Sequence, residues 1–443
     1  MPTVNPYYER REAELDDQRG ATQRDRDRLL YCTNFRRLAG VTQVVAANEG
    51  HIFHSRLTHS LEVAQIARRI GEYLREEFPA EADAHCGIDP DAVEAAALAH
   101  DLGHPPFGHV AEEELDRLIR EDEHLFDGYE GNAQSFRTVT KLAVRNDEFR
   151  GLNLTRVTLN GILKYPWFRA LHGRGKSKWG AYHTERSVFG FAREIYPPGS
   201  EIRSIEAEIM TWADDIAYSI HDTEDFYRAG LIPLERIAGR DTEEATKFKE
   251  AVFRRWADEG KNVTSREKGL LTRAFDTFCD ELYIREPYHG TRSQRLQLRI
   301  LTSTCIKDAI FATSLSDDPE EPLVVKPAIK RRISMLKELT WHYVIKNPAL
   351  ASQQYGYRKI IQKLFEVFMD AANSPSPAWT ILPPRYQEEM IQLAEQYGND
   401  IRNELRVRTV ADAIAGMSDA EALRLYQKLS GVLPGSVRDP LAM

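Results

Sequence analysis

Residues 95–114 read AAALAHDLGHPPFGHVAEEE, and His100, Asp101, His104 and His109 fall within ten residues of that stretch. Imidazole and carboxylate groups bind divalent cations and carry protons near neutral pH, and glycines with two prolines stiffen the turn between them. Seven of the 13 histidines (51, 54, 59, 85, 100, 104 and 109) lie between 51 and 109. Histidine adds little to packing, so the bias points to chemistry. His100 and Asp101 alone hold a divalent ion poorly. His59 in RLTHSLEV offers a third ligand from the start of another helix. A distant carboxylate can come from WADDIAYSIHD, where Asp214, Tyr218 and Asp222 recur every fourth residue. At ~100° per residue they share one side, opposite Ile209, Ala213, Ile216 and Ile220. A solvated face would give the same row, yet Ala207 and Thr211 also lie on it, and a tyrosine between two aspartates suits solvation badly. Asp214 is preferred to Asp215 because only Asp214 shares the row. Glu112 lies three residues beyond His109, in reach of that imidazole on a helix starting there, and a His–Glu pair can transfer protons.

The elements that must position these groups are helical. RLTHSLEVAQIARRIGEYLREEF (56–78) brings Leu57, Leu61, Ala64, Ile70 and Tyr73 or Leu74 near one face. A second helix over 89–103 opens on Asp89 as N-cap and Pro90 at its first position, with Gly103 to close it. A long helix over 204–230 ends in Gly230. TQVV and HIF around AANEG suggest a hairpin at 42–53. The segments 171–185, glycine-rich and basic, and 373–386, proline-rich, read as loops. The expected fold class is all-α with at most a small β-hairpin. Polar constellations stop near residue 230. The division that follows is a catalytic portion with an N-terminal arm over 1–230 and a C-terminal helical portion over 231–443.

With 42% hydrophobic and 29% charged residues in 443, the chain reads as a soluble globular protein. No apolar run reaches the ~18 residues of a membrane span. The first residues lack an apolar signal core, and four cysteines without a CxxC pair suit a reducing compartment, so the expected location is the cytoplasm. A net charge of −9 gives no support to nucleic-acid binding.

The ordered motifs RLTHSLEV, HDLGHPPFGH, YEGNAQS and ADDIAYS resemble the HD-domain metal phosphohydrolases, in the bacterial deoxyguanosine triphosphate triphosphohydrolase-like branch. The match runs over about residues 24–225, includes ILKYPW, and continues more weakly to the end. The resemblance implies an HD-domain helical fold with extra C-terminal helices. The implied reaction is hydrolysis of a deoxynucleoside triphosphate (dNTP), dGTP or a broader set, to deoxynucleoside and inorganic triphosphate. Other HD-type phosphohydrolases, a phosphodiesterase or nucleotidase, and a non-catalytic dNTP sensor are the rival readings.

By the same resemblance, His59, His100, Asp101 and Asp214 hold one divalent ion. Nitrogen and oxygen ligands suit Mn, Fe, Zn or Ni, with Mg admissible, and further Mg or Mn can arrive with the substrate. His109 and Glu112 are assigned to water activation or leaving-group protonation, and His104 to a phosphate contact or a supporting role. Arg56, Lys164 with Tyr165, and Lys178 are candidates for the triphosphate. Gln43 and Asp222 are assigned to the 3′-hydroxyl and Tyr218 to the deoxyribose face. Some relatives carry histidine where this chain has Gly131, which shifts weight onto His109; Asn132 and Gln134 read as structural. The implied partners are the dNTP substrate, a regulatory dNTP and a homo-oligomer, in relatives often a hexamer.

Overall fold

The computed structural model describes residues 5–14, 17–44, 53–85, 87–239, 242–373, 380–397 and 403–434. Helices dominate, and the helices that bear on the site are labelled α1 to α11 in chain order. They are α1 (Arg56–Glu77), α2 (Pro90–Ala99), α3 (His109–Arg117), α4 (Gly131–Arg137), α5 (Arg156–Ile162), α6 (Ile205–Arg228), α7 (Arg292–Ile310), α8 (Pro327–Thr340), α9 (Pro348–Asn373), α10 (Asn403–Ala415) and α11 (Asp419–Leu429). Among the described residues the strands named are β1 (Thr313–Leu315) and β2 (Leu323–Val325), antiparallel with Thr313 opposite Val325. The hairpin expected at 42–53 lies mostly outside the described residues; Thr42 to Val44 and Phe53 form no strand.

Caps set the helix starts. The Ser55, Asp89 and Ser204 side chains accept from backbone N–H groups in the first turns of α1, α2 and α6. α2 ends at Ala99, four residues before the expected Gly103. Gly103 is required for a different reason: a Cβ there would stand 2.2 Å from the Gly131 carbonyl oxygen and from the Ser135 nitrogen. It lets the turn after α2 lie against α4.

The main core joins α1, α2, α5 and α6. The alanines at 95–97 and 99 keep α2 slim enough to sit among longer helices. α5 approaches closely through Gly161, where a Cβ would lie 2.7 Å from that of Ala96. On α1 the core face is Val63, Ile66, Ala67, Ile70 and Leu74, whereas Leu61 is 43% exposed. Of the expected stripe, Ala64, Ile70 and Leu74 are buried and Leu57 packs against the core, but Leu61 is turned out because His59 and Ser60 take the inward side. A second core packs Phe107, Leu115 and Ile119 against Leu364 and Phe368 of α9 and Val410 and Ile414 of α10. The turn carrying His104 and His109 is thereby held between both cores.

Candidate active site

α1, the end of α2 and the middle of α6 deliver His59, His100 and Asp214 to the wall of a cavity of about 610 Å³. The His59 Nε2 stands 3.2 Å from Asp214 Oδ1, and the His100 Nε2 stands 3.8 Å from the same oxygen. One donor atom from each of the three lies within 4.8 Å of the others. Ligands about 2.1 Å from a common ion sit roughly 3–3.5 Å apart, so little movement would bring all three onto one cation. The tautomer of His100 fits too. Its Nδ1 lies 2.7 Å from the Ala97 carbonyl, which can only accept, so Nε2 carries the lone pair. That Nε2 is buried and makes no hydrogen bond. Burial alone would raise the Asp214 carboxyl, but the Lys164 ammonium and the His59 and His100 rings hold it well below the usual range.

Asp101 borders this group. Its Oδ1 is 3.5 Å from His100 Nε2 and 3.0 Å from His104 Nδ1, while Oδ2 accepts from Arg56 Nη1 at 2.8 Å. Asp215 lines the same cavity but is paired with Lys337, 2.6 Å from its Nζ.

The turn GHPPFGH is fixed by an unusual backbone. Phe107 and Gly108 both have positive φ, 66° and 63°. For phenylalanine this is strained, and it persists because the ring stacks on Tyr357 at 4.4 Å while its N–H donates to Asp419 of α11 at 2.7 Å. His109 then begins α3, and its Nδ1 lies 3.0 Å from Glu112 Oε2, the pairing expected from the spacing. His104 Nε2 is 3.7 Å from the same oxygen. Burial and the Arg56 charge push His104 down to about 4, so it stays neutral at pH 7. Burial works against the charge on Glu112, but His109, His104 and Lys178 hold it ionised. Glu112 also accepts from the Gly131 N–H at 3.2 Å. A Cβ at Gly131 would meet the His104 ring at 3.3 Å, so a larger residue there would press on that imidazole.

The expected phosphate cations are present but already paired. Lys164 Nζ donates to Asp214 Oδ2 at 2.9 Å, and Lys178 Nζ lies 2.9 Å from Glu112 and 3.0 Å from Glu130. Arg56 is engaged by Asp101. Tyr165, Tyr218 and Gln43 line the cavity, and Gln43 Oε1 is buried without a partner. Asp222 is not on the wall. It is 5% exposed, Oδ2 is unpartnered, and burial with the Asp225 charge raises its carboxyl well above the ordinary value. Asn132 and Gln134 bond Glu130 and Asp412, as structural residues would. Sequence reasoning missed Lys337 of α8 and Gln354 and Arg358 of α9, which also line the cavity. They bring polar and charged side chains from beyond residue 230 to the cavity wall. Their only signal is a place on amphipathic helices, which any surface lysine or arginine shares. A larger cavity, of about 1050 Å³ beside Thr140, Arg150 and Glu404, contains none of the metal-ligand candidates.

A histidine and aspartate cluster held between helices, with cations beside it, defines a helical phosphohydrolase of the HD class. Residues 56–219 match the HD domain family, and residues 323–428 match the phosphohydrolase-associated domain. The chain is 34% identical to the deoxyguanosinetriphosphate triphosphohydrolase-like protein of Streptomyces coelicolor, over 93% of each chain. It is 34% identical to the protein of that name from Wolinella succinogenes, over 94% of this chain and 96% of the relative. The like-named protein of Shewanella loihica is 31% identical over 98% of both. The chain belongs to the HD-domain phosphohydrolases, among the deoxyguanosinetriphosphate triphosphohydrolase-like proteins. No described helix is long and apolar enough to cross a membrane.

Proposed function

We propose that the protein cleaves a dNTP, dGTP or a broader set, at the α-phosphorus, giving deoxynucleoside and intact triphosphate, with one divalent ion held by His59, His100, Asp101 and Asp214. The observation that carries this reading is the buried, unpartnered His100 Nε2 turned toward His59 and Asp214, with Lys164 on the same carboxylate. The donor set fits Mn, Fe, Zn, Ni or Mg. A bound ion supplies charge neutralisation at a phosphoryl oxygen. The remaining work falls to side chains. His109, polarised by Glu112, moves a proton to or from the reacting oxygen. His104, neutral and wedged beside Arg56, offers a hydrogen bond without competing for the ion. Lys164 and Lys178 turn their ammonium groups to the triphosphate as it enters. Gln43, whose buried Oε1 lacks a partner, takes the 3′-hydroxyl, and Tyr218 packs on the sugar where a 2′-hydroxyl would collide.

All four dNTPs with each metal, and chromatography of the products, test the proposal. Metal-dependent release of inorganic triphosphate is expected. Monophosphate or diphosphate products would favour a phosphodiesterase or nucleotidase, and tight binding without turnover a sensor. Dideoxynucleotides should be poorer substrates by about tenfold, since the buried Gln43 amide would lose its partner at ~1–3 kcal/mol. Turnover equal to that of the parent dNTP would remove the sugar assignment. The homo-oligomer and the regulatory dNTP stand as parts of the same proposal. The exposed Ile300 of α7 beside the exposed Tyr283 favours self-association, and light scattering with and without dNTP checks both.

A further inference from the structure

We propose that His54, Glu62 and His221 form a second metal site, binding a zinc-class divalent ion separate from the catalytic one. Glu62 lies on α1 one turn past His59, His221 lies on α6 two turns past Asp214, and His54 sits just before the Ser55 cap. The His54 Nε2 is 3.1 Å and the His221 Nδ1 2.8 Å from the same Glu62 oxygen, Oε2. The two rings stack with centroids 5.1 Å apart and planes at 17°. One donor atom from each residue lies within 4.8 Å of the others, close to the spacing of neighbouring ligands around one ion.

Two further observations separate this cluster from a chance ion pair. Behind His54, Nδ1 lies 2.6 Å from Asp225 Oδ2. With the Nδ1–H held by that carboxylate, loss of the Nε2 proton, now donated to Glu62 Oε1 at 3.2 Å, would leave Nε2 as the ligand atom, the carboxylate–histidine–metal arrangement. In front, His221 is 7% exposed, and neither its Nδ1 nor Glu62 Oε2 makes a hydrogen bond despite their proximity. Two imidazoles and a carboxylate are ligands for Zn and its neighbours. A proton is the competitor. Burial opposes charge on His54, but Asp225 and Glu62 override it and push the imidazole up to about 10, so an entering ion must displace that proton.

Seven residues of α6 separate Asp214 from His221, a rise of ~10 Å. That exceeds the ~3.5–4 Å of metal pairs that share one phosphoryl group. The second ion would therefore act by fastening the segment at 53–55 to α6, next to Asp222.

The test is a metal count on the full chain, stripped with chelator and titrated with Co²⁺. Two ions per chain are expected for the wild type, one for the His54→Ala/His221→Ala double variant, and one for the His59→Ala/His100→Ala double variant. A wild-type chain that binds one ion overturns the proposal, as does a His54→Ala/His221→Ala chain that still binds two. If that variant fails to fold, the His59→Ala/His100→Ala chain decides alone: one tightly held Co²⁺ supports the site, and none overturns it. The count is independent of which nucleotide, if any, the protein hydrolyses.

Discussion

His109 has a side chain 66% exposed, yet its Nδ1 is held 3.0 Å from Glu112, whose carboxylate is buried. Exposure lets it reach a substrate, and the buried partner keeps it oriented. It touches none of the three grouped metal-ligand candidates. His109→Ala should thus retain any bound ion and lose turnover by about 10²–10⁴-fold, the usual worth of a placed general acid or base. Metal content by mass spectrometry beside kcat decides; unchanged kcat would refute the role. At this scale much was legible in the sequence. His59, His100 and Asp214, singled out because their residue types carry chemistry and because Asp214 shares the four-residue row, do lie within reach of one another. What spacing could not show is the pairing. Asp101 reaches Arg56 as well as His100, and Lys164 and Lys178 already meet carboxylates, because such contacts depend on how separate helices meet.

The Asp89 cap was legible for a local reason: its carboxylate accepts from backbone N–H groups two and three residues further on. Helix faces were less so. Leu61 looked like core, and the need to turn His59 inward placed it at the surface. Gly103 read as a helix end, whereas its function is contact between backbones. Gly103→Ala should therefore destabilise by about 3 kcal/mol or more, the upper range for overpacking, because carbonyl and amide groups of α4 cannot step aside like a flexible side chain. Urea unfolding checks this, and a cost below about 0.5 kcal/mol would argue against the contact.

α6 carries a further strain in its first turn. Glu206 is 6% exposed, and burial raises its carboxyl to about 7 in spite of hydrogen bonds from its own backbone N–H and from Ser204. The folded pKa lies above the unfolded value near 4.5, so the folded chain holds this proton more tightly. Its contribution is fully present below about pH 4.5 and is lost as pH rises to about 7. The loss is on the order of 3 kcal/mol. Glu206→Gln copies the neutral acid. The variant should match the wild type in unfolding free energy at acid pH and exceed it at pH 8. A difference independent of pH would show that the carboxyl ionises freely in the folded chain.

The whole molecule brings the C-terminal helices back to the site. Arg137 of α4 and Asp412 of α10 form a buried pair at 2.7 Å, joining chain segments 275 residues apart. α9 packs its Leu364 and Phe368 against the helix that begins with His109. α8 sends Lys337 to Asp215 at the cavity wall, directly beside the metal-ligand candidate Asp214. No motif could announce this, because Lys337 is an ordinary lysine on an amphipathic helix until the fold places it. Its distance from the reacting groups sets the expected effect. A cation at the rim attracts the triphosphate in the ground state and the transition state alike, so its removal should weaken binding and leave the chemical step unchanged. Lys337→Ala is expected to raise KM for a dNTP about tenfold, roughly 1.4 kcal/mol, with kcat and bound metal unaltered. Steady-state kinetics at low and moderate salt measure this, and the KM penalty should shrink as salt screens the exposed charge. An unchanged KM would confine the nucleotide to the N-terminal helices and leave Lys337 as a structural partner of Asp215 alone.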